Sequence, residues 1–252
     1  MAIKVISHRG ANRYAPQNTL PAFKKSLAIG VDGFETDIHV TLDGIPVVCH
    51  NYTIDETSDG NGLIAEKTLD ELKTYDFGSY FGEEFKGTRM PTLEEFLTLC
   101  ETADIELMNI ELKSPQQGET GIVEKTIAAV KAHGLFDKLI ISSFDSRLLV
   151  EAKKIDKNCP TGYLYCINGF DNPMALTVPA AYAASLGCDA LHPHYAHVTR
   201  RYVTLAHRRG IKVNVWTVDD PVIIRRMIAC GVDGIITNCP DVVKAELAKK
   251  NL

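Results

Sequence analysis

The stretches SLAIGVDGFETD (26–37), AASLGCDALHPH (183–194) and MIACGVDGIITN (227–238) share one pattern. Each closes an apolar helical run with Gly, continues through an apolar residue and Asp, and enters a short apolar run that ends in polar or ionisable residues. Gly30, Gly187 and Gly231 fall where a helix would end in a left-handed residue, which glycine adopts without a Cβ clash. The unit therefore reads helix, stop, strand. AHRRGIKVNVWT (206–217) is a looser fourth copy, with Gly210 in the same place.

Outward from these copies, the β-rich runs KVIS, ELMNIEL, KLIISS and GYLYC alternate with stretches of helical apolar spacing such as PAFKKSLAI and EEFLTLCETA. Eight strands are expected, at about 3–8, 32–38, 105–112, 138–143, 161–166, 188–193, 211–217 and 233–237. Regular alternation of strand and helix implies a parallel sheet. Eight βα units in 252 residues suit a closed α/β (β/α)8 TIM barrel better than an open doubly wound sheet. The expectation is one barrel domain over residues 1–252. Segment 39–90 breaks the alternation. There HVTLDGIPVVCH reads as strand, turn at Asp43-Gly44 and return strand, followed by the polar loop NYTIDETSDGNG, a short helix at LDELKTY and the aromatic stretch YDFGSYFGEEF. It reads as a small insertion after the second strand, since barrel enzymes enlarge their βα loops to build substrate sites. Its aromatics Tyr75, Phe77, Tyr80, Phe81 and Phe85 are expected to pack it onto the barrel.

With 45% hydrophobic and 23% charged residues the composition is that of an ordinary globular chain. Net charge is 27 basic minus 32 acidic residues, or −5, with no Lys/Arg run to follow a phosphodiester backbone, so a nucleic-acid partner is not expected. Seven cysteines, an odd number without a C-x-x-C pair, read as reduced thiols. No apolar stretch approaches the ~20 residues of a membrane span, and MAIKVISHRG has no secretory h-region. A cytoplasmic enzyme with no stable membrane insertion, as a monomer or homodimer, is the expectation.

In a (β/α)8 barrel the catalytic groups stand at the carboxyl ends of the strands. The first strand ends in His8-Arg9, the second in Glu35-Thr36-Asp37, the third in Glu111-Leu112-Lys113, the sixth in His192-Pro193-His194 and the seventh in Trp216. Residues two apart share a face, so Glu35 projects with Asp37 and Glu111 with Lys113. Converging carboxylates raise one another's pKa unless a cation sits between them, and an all-oxygen set favours one divalent cation, Mg²⁺ or Ca²⁺. An ion-pair network at the sheet edge is the alternative. Arg9 offers a fork of donors for a phosphate or carboxylate, and His8 with His50, at the end of the return strand, could supply base and acid for phosphoester hydrolysis.

HRGAN (8–12), PQNTLPAF (16–23), GFETDIHVTLDGIPVVCHN (33–51), IELK (110–113), WTV (216–218) and GVDGIITNCPD (231–241) closely resemble the glycerophosphodiester phosphodiesterases. The resemblance runs in order from His8 to Asp241. It implies a (β/α)8 barrel that uses a divalent metal to hydrolyse small-molecule glycerophosphodiesters to sn-glycerol 3-phosphate and an alcohol. Carried over by motif, it implies His8 and His50 as the acid/base pair and Glu35, Asp37 and Glu111 as metal ligands. Arg9 and Lys113 would contact the phosphoryl group, and Trp216 would border the glycerol pocket. Three positions depart from the usual family pattern: Gln17 stands for Glu, Asn51 for Asp, and Asn238-Cys239-Pro240-Asp241 for a sequence such as DRPD. Asn18-Thr19 are expected to cap the first helix.

His39 is expected out of phase with the carboxylates and outside their set. His192 and His194 could touch substrate or stand behind it, while His133, His197 and His207 read as helix-surface or loop residues. Cys49 should point away from His50, into packing. Two other readings remain: a barrel lyase or isomerase in which Lys113 removes a proton beside Mg²⁺, which would leave the histidines and Arg9 idle, and a non-catalytic barrel that binds phosphorylated ligands.

Overall fold

The computed structural model describes residues 2–116 and 120–250. In chain order the elements are β1 (Lys4–His8), α1 (Leu20–Ile29), β2 (Gly33–Val40), β3 (Pro46–Val48), α2 (Leu69–Leu72), α3 (Leu93–Glu101), β4 (Leu107–Leu112), α4 (Ile122–Ala132), β5 (Leu139–Ser143), α5 (Ser146–Ile155), β6 (Thr161–Tyr165), α6 (Met174–Thr177), α7 (Pro179–Ser185), β7 (Ala190–Pro193), α8 (Arg200–His207), β8 (Lys212–Val215), α9 (Pro221–Cys230), β9 (Gly234–Thr237) and α10 (Pro240–Lys250). Strands β1, β2 and β4 to β9 pair in parallel in that order, and β9 returns to pair with β1. The sheet is thus a closed eight-stranded (β/α)8 barrel, and its strands fall within two residues of the expected bounds. β3 is antiparallel to β2 and lies outside the ring.

The helix-stop-strand unit has the backbone its glycines require. Gly30, Gly187, Gly210 and Gly231 have φ of 78°, 73°, 72° and 79°, in the left-handed region where a side chain would be strained. At Gly30 the N–H donates to the Ser26 and Leu27 carbonyls, consuming groups the end of α1 leaves unpaired. The chain can then turn directly into β2, whose eight residues are all buried, as a strand with barrel interior on one side and helices on the other must be. The main core fills the layer between sheet and helices, where the rings of Phe23, Phe34 and Phe96 meet at 4.8–6.0 Å.

The segment between β2 and α3 holds its own apolar cluster of Val47, Cys49, Ile54, Ile64, Leu72, Phe77 and Met90. Cys49 points into it, as expected of a residue that alternates with His50. The aromatics divide. Phe77 is buried and Tyr75 packs on the cluster, while Tyr80 (43% exposed), Phe81 (36%) and Phe85 meet edge to edge nearer the surface, and of these three Tyr80 reaches the first βα loop of the barrel, its hydroxyl accepting from the Gln17 N–H at 3.2 Å. Asp76 causes this: its carboxylate accepts from the N–H groups of Gly78, Ser79 and Gly87 and from the Ser79 hydroxyl, curling the stretch back on itself. Among the described residues no helix is long and apolar enough to cross a membrane.

Candidate active site

The carboxyl ends of the strands converge on an ionisable cluster. Glu35 and Asp37 face the barrel interior from β2, and the β2–β4 register sets Asp37 beside Glu111 and Glu35 beside Asn109. One carboxylate oxygen from each of Glu35, Asp37 and Glu111 lies within 4.8 Å of the other two, and all three residues are buried. Lys113 Nζ is 2.7 Å from Asp37 Oδ1 and pairs as well with Glu111 Oε1. Arg9 Nε is 3.4 Å from Asp37 Oδ2, and Arg9 Nη1 donates to Gln17 Oε1 at 2.7 Å. Arg9 has φ of 55°, uncommon for a side-chain-bearing residue, and this backbone lets its N–H donate to Glu35 Oε2 at 3.0 Å.

Burial raises Glu35 well above the usual carboxylate range, and the charges of Asp37 and Glu111 add to it. Glu111 is pushed up to about 7, again by burial, with Lys113 offsetting part of the effect. Asp37 is also buried, but Lys113 and Arg9 outweigh that cost and hold it ionised. Three carboxylates against two cations leave the site short of positive charge. An oxygen-only group this close and this dry fits a divalent cation, which would let all three ionise.

His8, at the end of β1, directs Nε2 toward Glu35 Oε2 at 3.9 Å and its Nδ1 toward Asn238 Oδ1 at 2.6 Å. His50, two residues past β3, has Nδ1 2.5 Å from Asn51 Oδ1. Burial, with the charge of Arg9, lowers His8 to about 3; burial also lowers His50, with Lys113 and Arg9 acting the same way. The two rings share one wall-to-wall cavity of about 180 Å³ with Arg9, Glu35, Asn109 and Glu111 on its charged side and Phe144, Leu164, Trp216 and Ile236 on its apolar side. At His50, Glu111 and Phe144 the cavity adjoins an outer groove of about 490 Å³ that includes Asn51, Tyr52, Glu56, Lys113 and Ser114. A separate groove of about 370 Å³ between α7 and α8 contains none of these groups.

The structure thus brings the eight residues expected at the site, His8, Arg9, Glu35, Asp37, His50, Glu111, Lys113 and Trp216, to one end of the barrel. Other expectations need correction. Asn18-Thr19 do not cap α1 through their side chains: Thr19 Oγ1 donates to the Pro16 carbonyl, and Asn18 Nδ2 donates to Asp37 Oδ2 at 2.8 Å while its Oδ1 accepts from Thr36. The turn carries Asn18 with φ of 56°, which aims its amide into the barrel. His39 is two residues beyond Asp37 and so in phase with it. It stays outside the carboxylate group because β2 has by then paired with β3, where His39 Nε2 donates to the His50 carbonyl and its ring abuts Tyr52. His192 is fully buried beside Asn214 and Asn109, and its carbonyl accepts from Trp216 Nε1, while His194 meets the Trp216 ring edge-on at 5.5 Å; neither lines the cavity. Asn109 and Phe144 do, and were overlooked. Strand alternation with Glu111 pointed to Asn109, and the end of the fourth expected strand, β5 here, pointed to Phe144.

A family model described as the glycerophosphoryl diester phosphodiesterase family matches residues 8–242. A glycerophosphodiester phosphodiesterase of Caldanaerobacter subterraneus subsp. tengcongensis is 39% identical over 241 residues, 96% of each chain. Among solved structures, an Oleispira antarctica phosphodiesterase in complex with the product sn-glycerol-3-phosphate superposes with a TM-score of 0.87 at 30% identity, over 97% of this chain and 96% of that one. A putative glycerophosphoryl diester phosphodiesterase from Silicibacter pomeroyi also gives 0.87, at 29% identity, over 100% and 95%.

Proposed function

As a member of the glycerophosphoryl diester phosphodiesterase family this chain hydrolyses glycerophosphodiesters, and we propose that it does so with Glu35, Asp37 and Glu111 holding one divalent cation and His8 and His50 serving as acid/base pair. The observation that carries the reading is the shared cavity: two imidazoles, an arginine and two of the three clustered carboxylates line the same 180 Å³. The all-oxygen donor set suits Mg²⁺ or Ca²⁺. When bound, the cation supplies positive charge beside the phosphoryl oxygens, where negative charge grows in the transition state.

Arg9 and Lys113, which pair here with the carboxylates, also border the cavity and the groove, and we assign them to the phosphoryl oxygens. Trp216, with Phe144 edge-on at 5.7 Å, forms the apolar wall for the glycerol carbons. One imidazole, entering neutral, takes the proton from the glycerol 2-hydroxyl as that oxygen attacks phosphorus; the other, entering protonated on both nitrogens, gives its Nε2 proton to the departing alcohol oxygen. Water then opens the cyclic phosphate to sn-glycerol 3-phosphate with the proton transfers reversed. The attack is intramolecular and so spared the entropy of bringing in a nucleophile. The departing alcohol lies toward the groove of Asn51, Tyr52 and Glu56, walled by the insertion 39–90, which we read as part of a single barrel domain. Seven cysteines, none in a disulfide, fit a reducing, cytoplasmic setting.

Release of sn-glycerol 3-phosphate from glycerophosphocholine, with and without chelator, tests the reading. Glu35→Ala, Asp37→Ala and Glu111→Ala should each abolish cation-dependent turnover in a folded barrel, and His8→Ala or His50→Ala should lose ~10² to 10⁴ in rate. Undiminished turnover of Glu35→Ala at saturating cation would sink the metal assignment. Efficient cleavage of bis(p-nitrophenyl) phosphate, which has no internal hydroxyl, would overturn attack by the glycerol oxygen.

A further inference from the structure

Two separate segments arrive at the same side-chain order around the two imidazoles. Behind His8, Asn238 Oδ1 sits 2.6 Å from Nδ1, while Asn238 Nδ2 donates to Asp219 Oδ2 at 2.6 Å and the Asn238 N–H donates to Asp219 Oδ1 at 2.8 Å. Behind His50, Asn51 Oδ1 sits 2.5 Å from Nδ1 while Asn51 Nδ2 donates to Glu56 Oε2 at 2.7 Å. Each is a chain of carboxylate, amide and imidazole.

The order decides where the imidazole proton sits. An ionised carboxylate only accepts, so the amide must turn its NH2 toward it and its oxygen toward the ring. That oxygen only accepts in turn, so Nδ1 must carry the hydrogen. In the neutral ring Nε2 is then left with its lone pair, and in the protonated ring Nε2 holds the proton that can leave. At His8 a further donor fixes the amide: Asn12 Nδ2 donates to Asn238 Oδ1 at 2.7 Å, which a flipped amide could not accept. Asp219 is itself pinned by the Thr237 hydroxyl at 2.9 Å. Glu56 is exposed, so water competes for Asn51 and the second lock is the weaker.

We propose that Asp219 with Asn238, and Glu56 with Asn51, are positioning pairs that keep Nδ1 of His8 and His50 protonated, so that Nε2 is the nitrogen at which each ring takes or gives the substrate's proton. This rests on the reading of His8 and His50 as the acid/base pair, and it assigns the amides at 51 and 238 a task that their side-chain type, with one acceptor and one donor end, can do and a carboxylate facing Asp219 or Glu56 could not do without repulsion.

The direct test is the tautomer itself. Histidine-¹⁵N-labelled protein with Mg²⁺ at pH 7.5, its resonances assigned with His8→Gln and His50→Gln, should show both rings protonated at Nδ1; a ring with no hydrogen on Nδ1 overturns the lock there. The polarity test follows. Asp219→Asn and Glu56→Gln let the amide behind each ring flip, so the Nε2–H form should appear and kcat should fall, on the order of tenfold for Asp219→Asn and less for Glu56→Gln, with KM within about twofold. The exchanged pairs Asp219→Asn/Asn238→Asp and Glu56→Gln/Asn51→Asp again present an acceptor to Nδ1 and a donor behind it, and should recover the Nδ1–H form and most of kcat. Exchanged pairs no better than the single variants would mean packing alone, and would overturn the proposal. Full activity of His8→Ala or His50→Ala would remove the acid/base reading while leaving the tautomer spectra as measured, so the two failures are distinguishable.

Discussion

Removing the side chain of Asn18 separates a residue that merely fills space from one that holds Asp37 for a cation. Asn18 is 4% exposed, and Thr36 and Asp37 are fully buried. Its amide makes two bonds, to Asp37 Oδ2 at 2.8 Å and from Thr36 Oγ1 at 2.9 Å. Because φ is 56°, Asn18→Gly is the clean deletion, whereas Asn18→Ala adds ~1–2 kcal/mol of left-handed strain. The Thr36 hydroxyl would lose its acceptor, at ~1–3 kcal/mol, and Asp37 a bond to an ionised oxygen, at ~1.5–3 kcal/mol. Water entering the gap recovers part of this, so about 2–4 kcal/mol of stability should go, read by urea unfolding in chelator. Ligand orientation by such a partner is typically worth ~10- to 100-fold in metal affinity. Calorimetric titration with Mg²⁺ or Ca²⁺ should therefore show that weakening, and at saturating cation a 100-fold weaker Kd removes about 2.7 kcal/mol of ligand stabilisation. A variant that loses stability yet binds the cation with wild-type affinity would refute the claim that Asn18 orients Asp37.

Burial lowers the His192 pKa from 6.5 to about 3, so the unfolded chain binds its proton first as pH falls. The stability from keeping this ring neutral is complete above pH 6.5 and lost toward pH 3, amounting to about 3 kcal/mol by pH 4.5. His192→Gln, neutral throughout, should lose that much less than wild type between pH 7.5 and 4.5 in urea titrations; parallel losses would contradict it. Gly10 has φ of 80°, and a Cβ there would stand 2.6 Å from Ala22 Cβ and 2.7 Å from its backbone carbon. Gly10→Ala should lower stability by more than ~2 kcal/mol, since it combines overpacking with left-handed strain, and an unchanged melting temperature would exclude that.

Much of this protein was legible in order along the chain. The helix-stop-strand copies depend on local chemistry, a glycine at a left-handed helix end and an apolar run after it, so Gly30, Gly187 and Gly231 marked three strand starts directly. The parallel topology followed, and with it the rule that ionisable groups at strand ends meet, which gathered Glu35, Asp37 and Glu111 from positions up to 76 residues apart. What only the tertiary structure decided is the set of partners contributed by loops. Asn18 looks like a helix cap in sequence because Asn and Thr so often are, but a φ of 56° turns its amide to Asp37 instead. His8 and Asn238 lie 230 residues apart and meet because β9 closes the barrel against β1. The direction of a side-chain amide depends on what stands on both sides of it in space, and no local pattern encodes that.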